Sequence, residues 1–572
     1  MQPAGHAGDG PMPATSLGSG LANASSGDRD RDGDGRADSA AGSRRGVAGG
    51  PNLSRRAALA WGGAGLAGAL PWLGGCATTG GLAPAMPALD AAQSYRLVNR
   101  LTWGATEGEL ARLQQLGPGR YVAAQLAPSG PDELPEPLPT LIAGFRISRE
   151  PMVEIVRSQQ AEGRRIAGLK TPEERQAAQQ SAQQVRSQLL REASARFWWR
   201  SLYGRHQLRE QLSWFWLNHF SVYVFKVGQA EVADYAEHAI RPHALGRFRT
   251  LLGAALRHPA MLVYLDNQAN AASRPNENLA RELLELHTLG VHGGYAQADV
   301  QALARVLSGH GVSYAVTPPK LRDDWQPLYR RDGAYEFNPA RHDFGDKRLL
   351  GVPVPGRGAE QLDAVLDQLA RHPATARFIT RRLATFLLGE APPPALQARL
   401  AEAFLRHDGD IAQTLAVLIA DPVFVAARPA SFKDPMRFLV SSVRAAYRPD
   451  QVVVNTGPLQ AWLARLGEPL YGRLTPDGWP LEAEAWTGSG QLAARFEIAR
   501  AIGSGNAGLF KPDDLGSLPI AERPAFPQLA RPLYYGAVEP QLAASTRQAL
   551  AAAASPQDWN TLVLASPEFM QR

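Results

Sequence analysis

The residue types best suited to chemistry lie in one segment, Pro275 to Val300. Asn278, Glu282 and Glu285 stand at positions i, i+4 and i+7 of a predicted helix, so their side chains share one face. Two carboxylates one turn apart repel each other by roughly 0.2–0.5 kcal/mol, as like-charge pairs on a helix do. A proton, an arginine such as Arg281 or a bound cation would offset that repulsion. The spacing therefore indicates an acid–base site, an ion-pair network or a cation site.

Other segments add residue types that suit the same chemistry. Asn218 and His219 end an aromatic-rich helical segment, His342 and Asp343 lie in a loop, and Trp479 lies in a turn-rich stretch that could line a cleft. Histidine and carboxylate side chains act as general acids and bases, and both bind divalent metals. The candidate catalytic residues are Glu282, Glu285, His342 and Asp343, and the candidate binding residues are Asn218, His219, Asn278, Arg281 and Trp479.

The spacing around Glu285 does not match a known zinc motif. His287 lies about 200° around a regular helix from Glu285, so the two side chains cannot bind one ion together. The chain also lacks a His-Glu-x-x-His helix. The cofactor prediction therefore stays open between no cofactor and a divalent metal held by oxygen and imidazole ligands.

Three hypotheses remain for the two glutamates. In the first, Glu282 and Glu285 pair with arginines, including Arg281 with Glu285 at i, i+4, and form a buried structural network. In the second, the carboxylates work with His342 or Asp343 as acid and base in a cleft, in hydrolysis or lysis of a polysaccharide. In the third, the same groups hold a metal that activates water. Whether the protein is an enzyme stays open at this point.

Several motifs of the chain resemble, in order, those of one large bacterial family catalogued as domain of unknown function 1800. The central motif is the Pro275–Val300 segment, and the resemblance runs from about Ala91 to Arg572. The remaining motifs are Asn99–Gly104, Trp216–Phe220, Phe337–Gly345, Pro476–Pro480 and Ser566–Phe569. Leu217 departs from the family pattern, which commonly has a histidine there, and this counts against a metal site that would need that side chain.

The resemblance implies a partner more clearly than it implies a reaction. Proteins of this family have no established activity, and they resemble accessory factors for a second exported protein of the alkaline-phosphatase-like kind. Under that alternative, the face of Glu282 and Glu285 is a non-catalytic docking surface. The best enzymatic prediction is a carboxylate-based hydrolase or lyase, with or without a metal, that acts on an envelope or extracellular polysaccharide.

The elements that must position these residues are predicted to be mostly α-helical. Helical periodicity dominates after residue 92, with a capping box at Thr106 and Glu109 and a helix start at Thr171 and Pro172. The exception is residues 311–358, where short strands are expected around 312–354. At 572 residues the chain exceeds the usual size of one core. We therefore expect two lobes, an N-terminal one at 93–310 and a C-terminal one at 359–572.

The N-terminal region reads as a disordered extension followed by an export signal. Residues 1–50 are rich in Gly, Ser, Ala, Asp and Arg. Residues 51–76 contain the twin-arginine pair Arg55 and Arg56, then an apolar run too short to span a membrane. Cys76, the only cysteine, ends a lipobox-like Leu-Gly-Gly-Cys and is the predicted lipidation site. Residues 77–92 are a predicted linker. We expect twin-arginine export to the periplasm or cell envelope, with a lipid anchor.

Composition excludes some partners. The formal net charge is +6, but the basic residues are scattered among acids, without a stripe of Arg and Lys interleaved with aromatic residues. Nucleic acid is therefore not an expected partner. The expected partners are a glycan and an exported protein, with membrane contact through the lipid anchor alone.

Overall fold

The structure is a computed structural model that describes residues 82–84, 86–426, 431–511 and 526–572. The predicted extension, the export signal and Cys76 lie outside the described residues. Within them, helices predominate and strands are few, which confirms the mostly α-helical prediction. None of the described helices combines the length and apolar character needed to cross a membrane.

The helices before the strand-containing region are α1 (Ala91–Leu101), α2 (Glu107–Leu116), α3 (Pro118–Leu126), α4 (Leu138–Gly144), α5 (Arg146–Arg149), α6 (Met152–Ala167), α7 (Pro172–Tyr203), α8 (Gln207–His219), α9 (Val224–Val227), α10 (Gln229–Asp234), α11 (Phe248–Arg257), α12 (Pro259–Tyr264), α13 (Asn278–Glu282) and α14 (Gln297–Leu307). Their starts follow local chemistry. The Thr106 hydroxyl accepts a hydrogen bond from the Glu109 N–H at 3.3 Å, and the Thr171 hydroxyl accepts one from the Glu174 N–H at 3.2 Å.

The later helices are α15 (Glu360–Ala370), α16 (Pro373–Leu388), α17 (Pro394–Arg406), α18 (Ile411–Ala420), α19 (Pro422–Ala426), α20 (Pro435–Ala446), α21 (Gly457–Arg465), α22 (Ser489–Gly503), α23 (Ala544–Ala551), α24 (Pro556–Leu564) and α25 (Pro567–Met570). Proline occupies the first turn of most of them, where it fixes φ and no intrahelical donor is lost. Among the described residues, π-helical geometry occurs at Tyr235–Ile240, Leu283–Thr288 and Tyr534–Val538. The described 3₁₀ turns are Arg241–His243, Asn267–Ala269, Gln326–Leu328, Pro339–Arg341, Ala483–Trp486 and Glu539–Gln541.

The described strands lie where the sequence predicted them. The strands β1 (His310–Val312), β2 (Arg330–Asp332) and β3 (Tyr335–Phe337) form an antiparallel sheet in the order β1-β3-β2, with His310 opposite Phe337. The strands β4 (Arg348–Leu349) and β5 (Val352–Pro353) form a hairpin. The region therefore interrupts the helices with two small sheets.

One main hydrophobic core crosses this region. Buried side chains on both sides of it belong to the same cluster, from Leu97 and Trp216 to Met436 and Leu564. The aromatic residues of α7 and α8 are part of the buried interior, and the Trp216 indole N–H donates to the Ala244 carbonyl at 2.9 Å. The predicted lobes at 93–310 and 359–572 therefore share a core, and their boundary stays a prediction.

Candidate functional site

The helix that carries Glu282 and Glu285 changes its geometry between them. α13 ends at Glu282 and continues at once as a π-helix, Leu283–Thr288. The Leu289 N–H donates to the Leu284 carbonyl at 2.9 Å, five residues back. The sequence predicted a regular α-helix here, so the expected relation between Glu282, Glu285 and His287 is wrong in detail. Single π-turns inside α-helices are frequent at functional sites.

Glu282 is a half-buried carboxyl group without a neutralising partner. Burial and the neighbouring charge of Glu285 raise the pKa of Glu282, and Asp477 adds to this effect. Within the described part of the chain, Glu282 forms no hydrogen bond or ion pair. Glu285 accepts one hydrogen bond, from the Tyr295 hydroxyl at 3.2 Å. The Glu282 side chain is therefore not held by any described hydrogen bond, and its environment favours the protonated form more than that of an ordinary glutamic acid.

Arg281 and Asn278 hold the start of the helix and do not neutralise the two glutamates. The Arg281 guanidinium donates to Glu277 Oε2 at 3.1 Å and to Gln297 Oε1 at 2.9 Å. The predicted ion pair between Arg281 and Glu285 is wrong, because Arg281 pairs instead with Glu277, four residues earlier in the sequence. Asn278 begins α13 and donates its backbone N–H to Asn276 Oδ1 at 2.9 Å.

A third carboxylate, Asp477, comes from a distant part of the chain. Partial burial opposes its ionisation, but hydrogen bonds from Arg473 and Thr475 lower the pKa of Asp477. The Arg473 guanidinium lies 2.8 Å and 2.9 Å from the two oxygens of Asp477, and it also lies 5.0 Å from the centre of the Trp479 ring. Asp477 was not among the predicted catalytic residues, although it belongs to the Pro476–Pro480 motif.

Asn218 fixes the loop that carries Asp477 and Trp479. Its amide nitrogen donates to the Trp479 carbonyl at 2.8 Å, and its amide oxygen accepts from the Trp479 N–H at 2.5 Å. Gly478 lies before Trp479 at φ +77°, and a Cβ at this position would clash with the Asn218 carbonyl oxygen. Asn218 is buried, so the predicted ligand-binding side chain is occupied by the loop.

Tyr264 connects the loop to the glutamates. Its hydroxyl donates to the Leu474 carbonyl at 2.7 Å. Burial and the charges of Asp477 and Glu282 together raise the pKa of Tyr264 to about 12. Both carboxyl groups are thus close enough to act on one phenol. The charges of Glu282 and Asp477 therefore act on each other and on Tyr264, and Trp479 lies two residues after Asp477.

His219 and His287 form a buried pair behind this site. His219 Nε2 lies 3.1 Å from the His287 carbonyl oxygen, and His287 Nδ1 lies 3.0 Å from the His219 carbonyl oxygen. Burial lowers the pKa of His219 well below its usual value and that of His287 to about 4. Both rings are therefore neutral at pH 7 and each donates to the other's backbone. His219, predicted to bind ligand, is a structural link between α8 and the π-helix.

Arg382 in α16 lies between the histidine pair and the acidic loop. Burial lowers its pKa, while the charges of Glu482 and Asp477 act in the opposite direction. Its positive charge in turn contributes to the low pKa of His219 and of His287. Arg382 forms no ion pair within 4.0 Å among the described residues, and its Nε is buried there without a hydrogen-bond partner. Arg382 was not among the predicted site residues, because no local motif surrounds it.

His342 and Asp343 belong to a separate polar cluster. His342 Nδ1 lies 2.7 Å from the Ser308 carbonyl oxygen, and burial lowers the pKa of its ring. The Arg305 guanidinium binds both oxygens of Asp343, at 2.8 Å and 3.0 Å, and its hydrogen bonds lower the pKa of Asp343 to about 2. The structure does not bring these two residues together with Glu282 and Glu285.

Groups of three or more His, Cys, Asp or Glu side chains arranged to hold a metal ion do not occur among the described residues. Glu282, Glu285 and Asp477 are therefore not arranged as a preformed metal site in the described structure.

The comparisons with known proteins identify a family and no closer relative. Residues 96–571 match the family described as Protein of unknown function (DUF1800). The match covers far more than half of the chain, so the protein belongs to this family. No curated protein and no solved structure shows significant similarity to it.

Proposed function

We propose that this member of the DUF1800 family cleaves a polysaccharide by acid–base chemistry at Glu282 and Asp477. The observation that carries the proposal is the opposite perturbation of two neighbouring carboxyl groups: the pKa of Glu282 is raised and the pKa of Asp477 is lowered. Two carboxyl groups whose pKa values are pushed apart are suited to divide the roles of acid and base.

The contacts of each side chain support its assignment. Glu282 has no described hydrogen-bond partner, so a protonated Glu282 is free to protonate the oxygen of a departing sugar. Asp477 is held ionised by Arg473, so it is suited to activate water in a hydrolase or to remove a ring proton in a lyase. Glu285 is a positioning residue, since its charge helps keep Glu282 protonated. His342 and Asp343 have no role in this proposal.

The surroundings suit a glycan. Trp479 is partly exposed and lies against Arg473, and aromatic faces of this kind pack against the apolar faces of sugar rings. Arg382 supplies a positive charge near Asp477, which suits a substrate that carries carboxylate groups. An acidic polysaccharide is therefore the substrate class that the site supports best.

The location that we propose is the cell envelope. The twin-arginine pair at Arg55 and Arg56 and the lipobox-like sequence that ends at Cys76 support export and a lipid anchor. Envelope and extracellular polysaccharides would be in reach of a protein anchored in this way.

A screen of polysaccharides with purified protein tests the catalytic proposal. Glu282→Gln should lower the rate of cleavage by roughly 100-fold or more, because it removes the general acid. Glu173→Gln is the matched control, since it makes the same chemical change at an exposed side chain in the first turn of α7 and should leave the rate within about twofold. The rate should fall as pH rises through the raised pKa of Glu282, and the variant should lack that limb of the profile.

The same assay separates the remaining hypotheses. A product with an unsaturated sugar identifies a lyase, and a new reducing end without it identifies a hydrolase. Loss of wild-type activity in EDTA would assign the carboxylates to a divalent metal. If wild type and Glu282→Gln are equally inactive on every polysaccharide, the acid–base proposal is wrong.

A docking surface is the second candidate, because Glu282 and Glu285 form an acidic face that no described arginine neutralises. A basic surface on an exported partner of the alkaline-phosphatase-like kind would complement it. In that case a large partner should co-purify with wild type, and Glu282→Gln together with Glu285→Gln should abolish the association.

A further inference from the structure

A second group of charged residues lies in the interior, away from the carboxylate site. Five basic side chains there are at most 5% exposed: Arg100, Lys433, Arg437, Arg495 and Arg572. The charges of Arg437, Arg495 and Arg572 all lower the pKa of Lys433, after the larger effect of burial. These residues come from α1, α20, α22 and the segments beside them, so the fold brings their charges together.

The described acidic residues offset only part of this positive charge, with Glu390 acting on Arg100 and Asp434 on the others. Asp434 lies 3.8 Å from Arg437 and acts on most of the cluster. Glu468 is buried, and burial together with the charge of Asp434 raises the pKa of Glu468 well above its usual value, which favours its uncharged form. Cation–π contacts with aromatic rings stabilise part of this charge: the Arg437 guanidinium lies 5.3 Å from the centre of the Trp103 ring. The interior nevertheless holds an excess of positive charge, which costs free energy unless an anion joins it.

Two cavities meet at Lys433. One has a volume of about 520 Å³ and a polar wall that includes Arg100, Lys433 and Arg572. The other has a volume of about 400 Å³, and apolar side chains such as Leu533 and Val538 contribute to its wall. Tyr95, Asn99, Lys433, Val538 and Phe569 line both cavities.

Several polar atoms at this junction have no partner among the described residues. Arg572 Nε and Nη1 are buried without a hydrogen bond, and so is Arg100 Nε. Lys433 Nζ donates to Ser441 Oγ at 3.1 Å and lies 3.9 Å from the centre of the Phe569 ring, with no described carboxylate bound to it. Glu568, the carboxylate on the wall, already accepts hydrogen bonds from the Thr546 hydroxyl and the Ala543 N–H. Some donors of Arg100 and Arg572 therefore lack a described acceptor, and both residues belong to the wall of a cavity large enough for a ligand.

We propose that the paired cavities bind an amphiphilic organic anion, with its carboxylate or phosphate head at Lys433 and Arg572 and its apolar body along Leu533, Val538 and Phe569. The head group supplies the negative charge that the cluster lacks, and the apolar wall excludes a bare inorganic ion as the full occupant. This site shares no residue with the Glu282–Asp477 site and does not depend on the polysaccharide proposal.

Calorimetric titration of the purified protein tests the site. Octanoate and octyl phosphate are the anionic probes, and octan-1-ol is the neutral probe of equal apolar length. Octanoate should bind at one site per chain, at least about tenfold more tightly than octan-1-ol, because only its head group pairs with the cations. A lower dissociation constant for octyl phosphate than for octanoate would identify a phosphate as the preferred head group.

Substitutions locate the binding. Arg572→Met and Lys433→Met remove the charge but retain an unbranched side chain, and each should weaken octanoate binding at least about tenfold, with little effect on octan-1-ol. The matched control is Arg381→Met, because Arg381 lines a different cavity of about 740 Å³ and should leave octanoate binding unchanged. Glu282→Gln should also leave it unchanged, which separates this site from the catalytic one.

The comparison of the two probes in wild-type protein decides the proposal even if a variant fails to fold. Equal affinity for octanoate and octan-1-ol, or no binding of either anion at millimolar concentration, would overturn it. Unaltered octanoate binding in folded Lys433→Met and Arg572→Met would do the same and would make the cluster purely structural.

Discussion

At the scale of single residues, the side chains expected to bind ligand are largely occupied by the protein itself. Asn218 and His219 were identified by type and motif, yet each bonds to a backbone segment far away in sequence. Such partners depend on the tertiary fold, which spacing along the chain does not contain. The raised pKa of Glu282 reflects in part the charge of Glu285, which is close in sequence, whereas the role of Glu282 in a site stays a prediction. Asp477 and Arg382 were not predicted as site residues, because Glu282 lies far from Asp477 in the sequence and the loop of Asp477 lies far from Arg382.

The His219–His287 pair leads to a prediction about acid stability. The unfolded imidazole of His287 has a pKa near 6.5, whereas the folded one has a pKa of about 4. Between these values the unfolded state binds more protons, so the free energy of unfolding should fall as pH drops from about 6.5 to 4. The loss for His287 alone is on the order of 3 kcal/mol.

Denaturant unfolding at pH 7 and pH 4.5 measures this effect in wild type and in His287→Gln. Glutamine is able to donate to the His219 carbonyl and does not titrate, so the variant should show a smaller difference between the two pH values. His407→Gln, in a turn after α17, is the control and should behave as wild type. An equal pH dependence in wild type and His287→Gln would contradict the assignment.

At the scale of elements, helix starts were predicted well and irregular geometry was not. The caps at Thr106 and Thr171 and the strands near 312–354 follow from chemistry within a few residues. The π-helix at Leu283–Thr288 does not follow from the chemistry of nearby residues. It carries His287, which packs against His219 from a distant part of the chain. Its consequence for the site is direct, since it changes the direction of Glu285 relative to Glu282.

Gly478 should be the most sensitive position of the loop. Gly478→Ala places a Cβ where the Asn218 carbonyl lies and also strains a positive φ. We expect a loss of roughly 1–3 kcal/mol in the free energy of unfolding and a loss of polysaccharide cleavage, because Asp477 shifts with the loop. Thermal unfolding and the cleavage assay measure the two effects.

Gly488→Ala provides the comparison for this substitution. An alanine Cβ at position 488 would have open space around it, and φ there is −60°, so the substitution should be tolerated. Similar stability and activity in both variants would show that the close approach of Gly478 to Asn218 does not matter.

At the scale of the whole molecule, the shared core makes the two predicted lobes depend on each other. Side chains from α1 to α25 enter one cluster, so neither half buries its apolar surface alone. Chain length suggested separate lobes, because the number of residues does not reveal which helices pack together.

The export proposal predicts the form in which the protein occurs in cells. Mass spectrometry of the membrane fraction should find a mature protein that begins with a diacylated Cys76. Cys76→Ala should abolish the acylation, and replacement of Arg55 and Arg56 by lysine should leave the precursor in the cytoplasm. A soluble exported product cleaved near Ala83 would contradict the anchor.

The two hydrogen bonds between Asn218 and the Trp479 backbone also have a consequence during synthesis of the chain on the ribosome. Asn218 and Trp479 are 261 positions apart in the sequence, and Asp477 lies in the same loop as Trp479. A ribosome completes Glu282 long before it adds the partner carboxylate. No nascent or prematurely terminated chain that stops before this loop would contain a working pair. Under the proposed function, cleavage of the glycan would therefore require export of a chain that already contains this loop, and fragments released by early termination would lack the pair.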